Sequence, residues 1–176
     1  WKIQQLCYEK DDDIRWLIAL LSDTGMRLAE AAGLAKEDVF LDTEIPYVRL
    51  CERPWRPLKT RSSERDVPLI GAALWAVHRA YDSSPNEYLF PRYCSDDGCN
   101  ADYASNSLNK WLRKHVPDRC VIHSFRHSLR DRLRVFECPS DIIDQIGGWK
   151  TAGVGQYYGT GFELDVLFQW MKKLNL

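Results

Sequence analysis

The spacing of apolar residues changes along the chain, and this change most constrains the fold. Apolar residues from Ile14 to Leu21 follow a helical period behind the acidic run Asp11–Asp13. Residues 39–50 then alternate in the manner of strands, with a turn near Asp42–Pro46. Helical spacing returns afterwards and continues to the end. We therefore expect an α+β fold, mainly α, with one small antiparallel three-stranded sheet.

Gly, Pro and acidic residues set the bounds of the expected elements. The expected helices cover Asp11–Gly25, Arg27–Gly33, Ala72–Tyr81, Ala104–Val116, His123–Phe136, Ser140–Ile146 and Leu164–Leu174. The expected strands are Val39–Leu41, Tyr47–Leu50 and a hairpin from Leu58 to Arg65, which has a polar tip at Thr60–Glu64 and a return strand through Val67 and Leu69. The turn-rich stretch Asp82–Asp102 is expected to be a loop.

Composition is that of one globular domain. The 176 residues are 45% hydrophobic and 28% charged, which supports a packed core. No apolar stretch approaches the roughly 20 residues of a membrane-spanning helix, and no signal peptide opens the chain. The start at Trp1 suggests a fragment of a longer protein.

The net charge of −1 neither requires nor excludes a polyanionic partner, because clustering on one face matters more than the total. Basic residues crowd two segments, and the acidic residues lie largely elsewhere. The first segment contains Arg53, Arg56, Lys59, Arg61 and Arg65, and the second contains Arg126, Arg130, Arg132 and Arg134. This local clustering mildly favours a polyanion, with the arginines after Arg126 forming a solvated or DNA-backbone-facing stripe.

The six cysteines are scattered and contain no Cys-x-x-Cys pair. In a chain of this length they indicate reduced, mostly buried thiols. Cys94 and Cys99 with a nearby His are a weak alternative zinc site, because their spacing is irregular and no second ligand pair accompanies them.

Three spacings carry chemistry. Arg27 and Glu30 are three apart on an expected helix and share a face. His123 and Arg126 have the same spacing at the start of a long helix, which directs an imidazole and a guanidinium to one point. Each pair, taken alone, is more often a structural pairing than a site. The third feature is Gly147-Gly148-Trp149, followed by a Gly-rich stretch that ends in Tyr157-Tyr158.

In this order the motifs resemble those of the tyrosine recombinases, the phage integrase family, from about Asp13 to Gly159. The matching motifs are Thr24-Gly25-Met26-Arg27-Leu28-Ala29-Glu30 with Gly33-Leu34, Leu58-Lys59-Thr60 with Ser63, Arg65 and Val67-Pro68-Leu69, His123-Ser124-Phe125-Arg126-His127, Gly148-Trp149, and Tyr158 nine residues later. Each motif alone is weak, and their joint order carries the resemblance.

The resemblance implies a catalytic role for each of six residues. Arg27 and Arg126 would hold the non-bridging oxygens of a phosphodiester, and Lys59 would protonate the departing 5′ oxygen. His123 would bond the phosphate and assist proton transfer at the tyrosine, and Trp149 would add one hydrogen bond and packing. Glu30 supports the site without acting in it, and His127 is expected to turn toward the core.

The resemblance assigns the nucleophile to Tyr158, which would leave a 3′-phosphotyrosyl link. Its neighbour Tyr157 stays an alternative, although the spacing from Trp149 and the following Gly159 favour Tyr158. The chemistry implied needs no metal and no cofactor.

The function implied is site-specific DNA recombination: integration or excision of a phage or other mobile element in the cytoplasm of a bacterial host. Partners would be double-stranded DNA recombination sites, accessory DNA-bending proteins and further copies of the chain in a homotetramer, with no membrane. Two alternatives are DNA relaxation like that of a type IB topoisomerase and a catalytically inactive DNA-binding module.

The resemblance also implies a domain organisation. Residues 1–176 would form the catalytic domain, and an N-terminal DNA-clamping domain would be absent from this fragment. Residues after about 161 would form a tail helix that docks either on a neighbouring protomer or on its own domain.

Overall fold

Helices make up about half of the chain that the computed structural model describes, which is residues 2–60, 63–149 and 161–175. The helices are α1 (Lys2–Lys10), α2 (Asp13–Thr24), α3 (Leu28–Ala32), α4 (Gly71–Ser83), α5 (Ala101–Leu112), α6 (Ser124–Val135), α7 (Ser140–Gly147) and α8 (Leu164–Lys172). The strands are β1 (Val39–Phe40), β2 (Tyr47–Leu50), β3 (Arg65–Pro68), β4 (Cys94–Ser95) and β5 (Gly98–Cys99). The expected mainly helical α+β fold is confirmed.

Helix α2 forms the centre of the helical part. The Asp12 side chain accepts a hydrogen bond from the Arg15 N–H at 3.1 Å and caps the start of the helix. Gly25 ends it with a left-handed φ of 59°. From Leu17 onward every residue of α2 is buried, and the helix packs against α1, α4 and α6. The predicted capped helix is confirmed.

Gly25 is required for the approach of α6 as well as for its own backbone conformation. A Cβ atom at this position would lie 2.5 Å from Leu129 Cδ2 on α6. The carbonyl oxygen of the same residue accepts a hydrogen bond from Arg126 Nη1 at 2.7 Å. The end of α2 therefore positions α6, the helix that begins after His123.

The small sheet has the order β1-β2-β3 with antiparallel pairing. Leu50 pairs with Arg65, and Tyr47 pairs with Pro68. The expected hairpin arm at Leu58 is wrong, because β3 pairs with β2. A connection of residues 51–64 joins them and carries Lys59. Pro54 and Pro57 cannot donate backbone hydrogen bonds to a ladder, which disfavours a strand here, and none forms within the described residues 51–60.

Helix α1 and the strands β4 and β5 were not expected from the sequence. Helix α1 precedes the first predicted helix and packs on α2. The predicted loop Asp82–Asp102 contains the short antiparallel pair β4–β5, in which Cys94 lies opposite Cys99. No helix in the described ranges is both long and apolar enough to cross a membrane.

Helix α8 lies on the β3 strand of its own chain. Leu167 and Met171 are buried there. The Gln145 amide holds the chain before the helix, donating to the Phe162 carbonyl and accepting from the Phe162 N–H, both at 2.8 Å. The structure thus has α8 docked on its own domain, one of the two arrangements that the sequence left open.

Candidate active site

Arg27 lies at the start of α3, in the extended conformation that precedes a helix. Its backbone N–H donates to Glu30 Oε2 at 2.9 Å, and its Nη1 donates to Glu30 Oε1 at 2.6 Å. Nη1 also donates to Ser63 Oγ at 2.9 Å, and Nη2 donates to the Gly148 carbonyl at 3.3 Å. The side chain of Arg27 is 24% exposed, so it stays partly accessible although three partners hold its guanidinium.

Glu30 is a buried carboxylate shared by two arginines. Its Oε2 also accepts from Arg65 Nη2 at 3.0 Å. Burial alone would raise the pKa of Glu30, but the charge of Arg65 and the hydrogen bonds from Arg65 and Arg27 outweigh it, so the pKa lies below its ordinary value. Glu30 is therefore an anion at neutral pH, and it positions Arg27 as the sequence predicted.

Arg126 is buried in the first turn of α6, with 4% of its surface exposed. Nη1 donates to the Gly25 carbonyl, whereas Nη2 has no hydrogen-bond partner among the described residues. Burial, followed by the positive charges of Arg27 and Arg65, lowers the pKa of Arg126 to about 10. The group is still cationic at pH 7, so it combines a positive charge with a desolvated N–H donor, which is a suitable partner for an anion.

Two guanidinium groups lie close to the ring of Trp149. The Cζ atoms of Arg126 and Arg130 are each 4.2 Å from the centroid of its ring, within cation–π range. A Cβ atom on Gly147 would lie 1.8 Å from Trp149 Cζ3, so only glycine allows the ring to lie against the end of α7. Trp149 thus packs on Arg126 and holds its side chain in place.

His123 immediately precedes α6 and is exposed. Partial burial, then the positive charges of His127, Arg126, Arg27 and Lys59, lowers its pKa below the ordinary 6.5. The same interactions show that the arginines and Lys59 lie within electrostatic reach of the imidazole. The prediction that His127 turns toward the core is wrong: it is exposed, and its ring lies edge-on to His123 at 5.3 Å. One helical turn separates the two residues, which puts both on the same exposed side.

We expect His123 to titrate below pH 6.5 in the absence of DNA, because partial burial and then neighbouring positive charges disfavour its protonated form. The unfolded chain binds this proton more readily, so protonation destabilises the fold as the pH falls through 6.5. The measurement is an NMR titration of the imidazole Cε1–H signal, assigned by its loss in His123→Asn. Addition of duplex DNA should raise the midpoint, and a DNA-free midpoint at or above 6.5 would contradict this electrostatic environment.

Lys59 is exposed in the connection between β2 and β3. The residues after it tie this connection to the arginine: Thr60 Oγ1 lies 3.1 Å from Ser63 Oγ, which in turn accepts from Arg27. Arg61, Tyr157 and Tyr158 lie outside the described residues. The structure therefore brings Arg27, Lys59, His123, Arg126 and Trp149 together, and the assignment of the nucleophile stays a prediction.

Most of the expected basic clusters are used inside the protein. Arg53 and Arg56 both bond the buried Asp38, at 2.9 and 2.7 Å. The stripe after Arg126 is also partly internal: Arg130 pairs with Asp144 at 2.5 Å, and Arg132 pairs with Asp23 at 3.2 Å. Arg134, by contrast, is exposed. Charge clustering in the sequence therefore does not mark a surface here, because the acidic partners lie far away in the chain.

Cys94 and Cys99 face each other across β4 and β5 as reduced thiols. In the described ranges, no group of three or more His, Cys, Asp or Glu side chains is arranged to hold a metal ion. The weak zinc alternative gains no further ligand from the fold.

Sequence reasoning quoted Arg65 in a motif and gave it no role in the site. Its side chain is 3% exposed and connects Glu30 with the segment after Lys59 and the end of α7. The available signal was its strand position: in β3, Arg65 and Val67 point inward and alternate with Asp66. A basic residue on the inward face of a strand requires a buried anion.

Comparisons with known proteins give the same picture. The profile of the Phage integrase family matches residues 2–161. A probable site-specific recombinase in the afa region of Escherichia coli is 23% identical over 175 residues, which cover 92% of this chain and 68% of that protein.

Solved structures with a similar fold include the integrase of the transposon Tn1549 in complex with a circular intermediate DNA, with a TM-score of 0.60 and 18% identity over 91% of this chain and 58% of that chain. XerA recombinase gives a TM-score of 0.61 and 20% identity over 98% of this chain and 60% of that chain. The chain thus spans about three fifths of the length of these solved structures.

The described architecture is that of a tyrosine recombinase catalytic domain. With the profile covering nearly its whole length, the chain belongs to the phage integrase family.

Proposed function

We propose that this chain is the catalytic domain of a site-specific DNA recombinase, which cleaves and rejoins strands through a 3′-phosphotyrosyl intermediate. The observation that carries the proposal is the environment of Arg126. A buried guanidinium with an N–H group that lacks a partner lies among the like charges of Arg27 and Arg65. Such a group stabilises an anion that accepts several hydrogen bonds far better than an exposed arginine would.

The proposed cleavage step uses five side chains. The Tyr158 oxygen attacks the phosphorus and gives up its proton, which the neutral imidazole of His123 accepts. The bond from phosphorus to the 5′ oxygen breaks, and Lys59 donates a proton to that oxygen. Arg27 and Arg126 offset the charge that builds up on the non-bridging oxygens. Rejoining reverses each transfer, because the phosphotyrosyl link conserves the energy of the broken bond.

A cationic surface next to the site offers a place for the duplex. The end of α5 and the loop to α6 carry four exposed basic residues, and within the described ranges none of them forms an ion pair. They are Lys110, Arg113, Lys114 and Arg119. The Ile122 N–H donates to Asn109 Oδ1 at 2.8 Å, which holds this segment beside the start of α6. Exposed cations of this kind bind a phosphate backbone without sequence preference.

The biological role proposed is integration or excision of a phage or mobile element in the cytoplasm of a bacterial host. The solved relatives that support it include a transposon integrase in complex with a circular intermediate DNA. We also propose that the chain acts as a homotetramer on two recombination sites, with α8 contributing to the contacts between protomers. Accessory proteins would bend the DNA, and an N-terminal clamping domain would complete the enzyme.

The test is covalent trapping of DNA. The chain is incubated with duplexes that have a randomised core and a nick beside it. The nick traps the covalent product, because cleavage next to it releases a short fragment and so prevents rejoining. The DNA that stays covalently attached to the denatured protein is then sequenced, which defines the cleaved site. The proposal expects a protein–DNA adduct enriched for one sequence, and an inactive DNA-binding module would give none.

A plasmid with two copies of the enriched site separates recombinase from topoisomerase. A recombinase deletes or inverts the segment between the copies. A type IB topoisomerase relaxes supercoils in plasmids with or without the sites. Relaxation without exchange would therefore replace the proposed activity with the alternative.

A further inference from the structure

Arg65 has a side chain that is buried and fully engaged by the protein. Its Nη2 donates to Glu30 Oε2 at 3.0 Å, its Nη1 to the Ser63 carbonyl at 2.7 Å, and its Nε to the Ile146 carbonyl at 2.9 Å. With 3% of the side chain exposed, the guanidinium is out of reach of DNA. Any effect of Arg65 on the reaction must therefore come through the three groups that accept its hydrogen bonds.

Each acceptor belongs to a segment that carries a different group of the proposed site. Glu30 holds Arg27 through two further hydrogen bonds. Ser63 follows Lys59 in the connection between β2 and β3. Ile146 lies at the end of α7, directly before the glycines that lead to Trp149. These segments are separated along the chain by 35 residues (Glu30 to Arg65) and 81 residues (Arg65 to Ile146).

We infer that Arg65 is a positioning residue, which sets the lysine connection, the α3 arginine and the end of α7 relative to one another. The inference rests on the proposed function. Arg65, Glu30, Arg27 and Ser63 form a closed ring of hydrogen bonds, since Arg27 Nη1 donates to both Glu30 and Ser63 Oγ. A shift of one member is therefore transmitted to Arg27 and to the lysine connection together.

The expected loss of rate on changing Arg65 follows from how sensitive phosphoryl transfer is to the position of the catalytic groups. A displacement of about 1 Å in a catalytic group costs roughly 10²-fold in rate. A lysine at position 65 keeps the positive charge beside Glu30, but one ammonium cannot reproduce the planar geometry that reaches three separate acceptors. Arg65→Lys therefore tests geometry with the charge retained.

Arg56 provides a matched control. It is also buried, and it bonds one carboxylate and two carbonyls: Asp38 at 2.7 Å, the Gly33 carbonyl at 3.2 Å and the Cys51 carbonyl at 2.8 Å. Arg56→Lys and Arg65→Lys should destabilise the fold to a similar degree. Arg56→Lys disturbs the start of the lysine connection but leaves Glu30, Arg27 and Ile146 with their partners. Arg65→Lys should therefore slow single-turnover cleavage of the enriched nicked duplex by about 10- to 100-fold more than Arg56→Lys does. Equal rates for the two variants would overturn the inference.

A second substrate distinguishes positioning from general damage. With sulfur in place of the 5′ bridging oxygen, cleavage breaks the P–S bond and releases a thiolate, which departs without a proton because its conjugate acid is far stronger than an alcohol. The defect of Arg65→Lys should then shrink at least about threefold, since the placement of Lys59 no longer matters. A defect of the same size on both substrates would contradict the proposed effect on the lysine.

Ser63→Ala keeps the test informative if Arg65→Lys does not fold. This change removes the hydroxyl that joins Arg27 to Thr60 and leaves Arg65 with all three acceptors. We expect a smaller defect, which the sulfur substrate again reduces, and a wild-type rate would count against the inference. Failure of the wild-type protein to form any adduct would instead refute the proposed function itself.

Discussion

Replacement of Arg126 by alanine is expected to lower the single-turnover rate of adduct formation by at least about 10²- to 10³-fold. That is the typical cost of removing one preorganised donor from a developing oxyanion. The expected loss is at the upper end, because Arg126 is desolvated and its Nη2 has no hydrogen-bond partner among the described residues. Arg126→Lys should also be slow, since an ammonium keeps the charge and loses the paired donors.

The control for Arg126 is Arg79→Ala. Arg79 is an exposed arginine on α4 that pairs with Asp11 at 2.7 Å, so its removal changes the net charge equally. Rates are measured by quenched-flow at saturating protein on the nicked duplex. If Arg126→Ala formed adduct within about threefold of Arg79→Ala, the oxyanion role of Arg126 would be untenable.

Replacement of Glu30 by alanine is expected to lower the free energy of unfolding by about 3–5 kcal/mol. Loss of one partner leaves the buried Arg65 charge uncompensated, which is the costly way to break a buried ion pair. Chemical denaturation followed by circular dichroism measures the change. The exposed pair Arg49–Asp66 gives the comparison: Asp66→Ala should cost about 0.2–1 kcal/mol. Equal losses for the two variants would contradict the buried network.

The same carboxylate predicts a dependence of stability on pH. The folded pKa of Glu30 lies below its unfolded value of 4.5, so its contribution is fully present above pH 4.5 and is lost as the pH falls through the folded pKa. Glu30→Gln cannot titrate at this position. The wild-type protein should therefore lose more stability than Glu30→Gln between neutral pH and this acidic range.

Elements with local signals were predictable from the sequence. Asp12 and the left-handed Gly25 mark the ends of α2, and Gly33 follows α3. Such end signals are predictable because they act within a few residues. The pair His123 and Arg126 was predicted by the same kind of spacing. The family motifs predict which residues form the proposed site, but they do not predict the hydrogen bonds between those residues.

Features that depend on distant partners were not predictable. The predicted strand at Leu58 is wrong because Leu50 of β2 pairs with Arg65 of β3 across a long connection. The sequence places Arg53 and Arg56 in a basic cluster typical of a surface, but in the fold both bond the buried Asp38. Arg65 likewise acquired its role from Glu30 and Ile146, which only the tertiary structure brings to it. Sequence spacing has no information on such contacts, because no local period links the partners.

Arg130 and Trp149 add a further example. The sequence indicated a stripe of arginines for solvent or DNA, but Arg130 stacks on the indole and pairs with Asp144. The indole in turn lies on Arg126. We conclude that part of the positive charge near the site orients other groups, and that the segment from Lys110 to Arg119 is the better candidate for backbone contacts.

The most direct test of the central claim is covalent trapping with the two neighbouring tyrosines changed one at a time. The account predicts that wild-type protein and Tyr157→Phe form the adduct on the enriched nicked duplex, and that Tyr158→Phe binds the duplex and forms none. Mass spectrometry of the digested adduct should find the nucleotide on Tyr158. Equal trapping by Tyr158→Phe and wild type would contradict the assignment, and loss of trapping only in Tyr157→Phe would move the nucleophile to its neighbour.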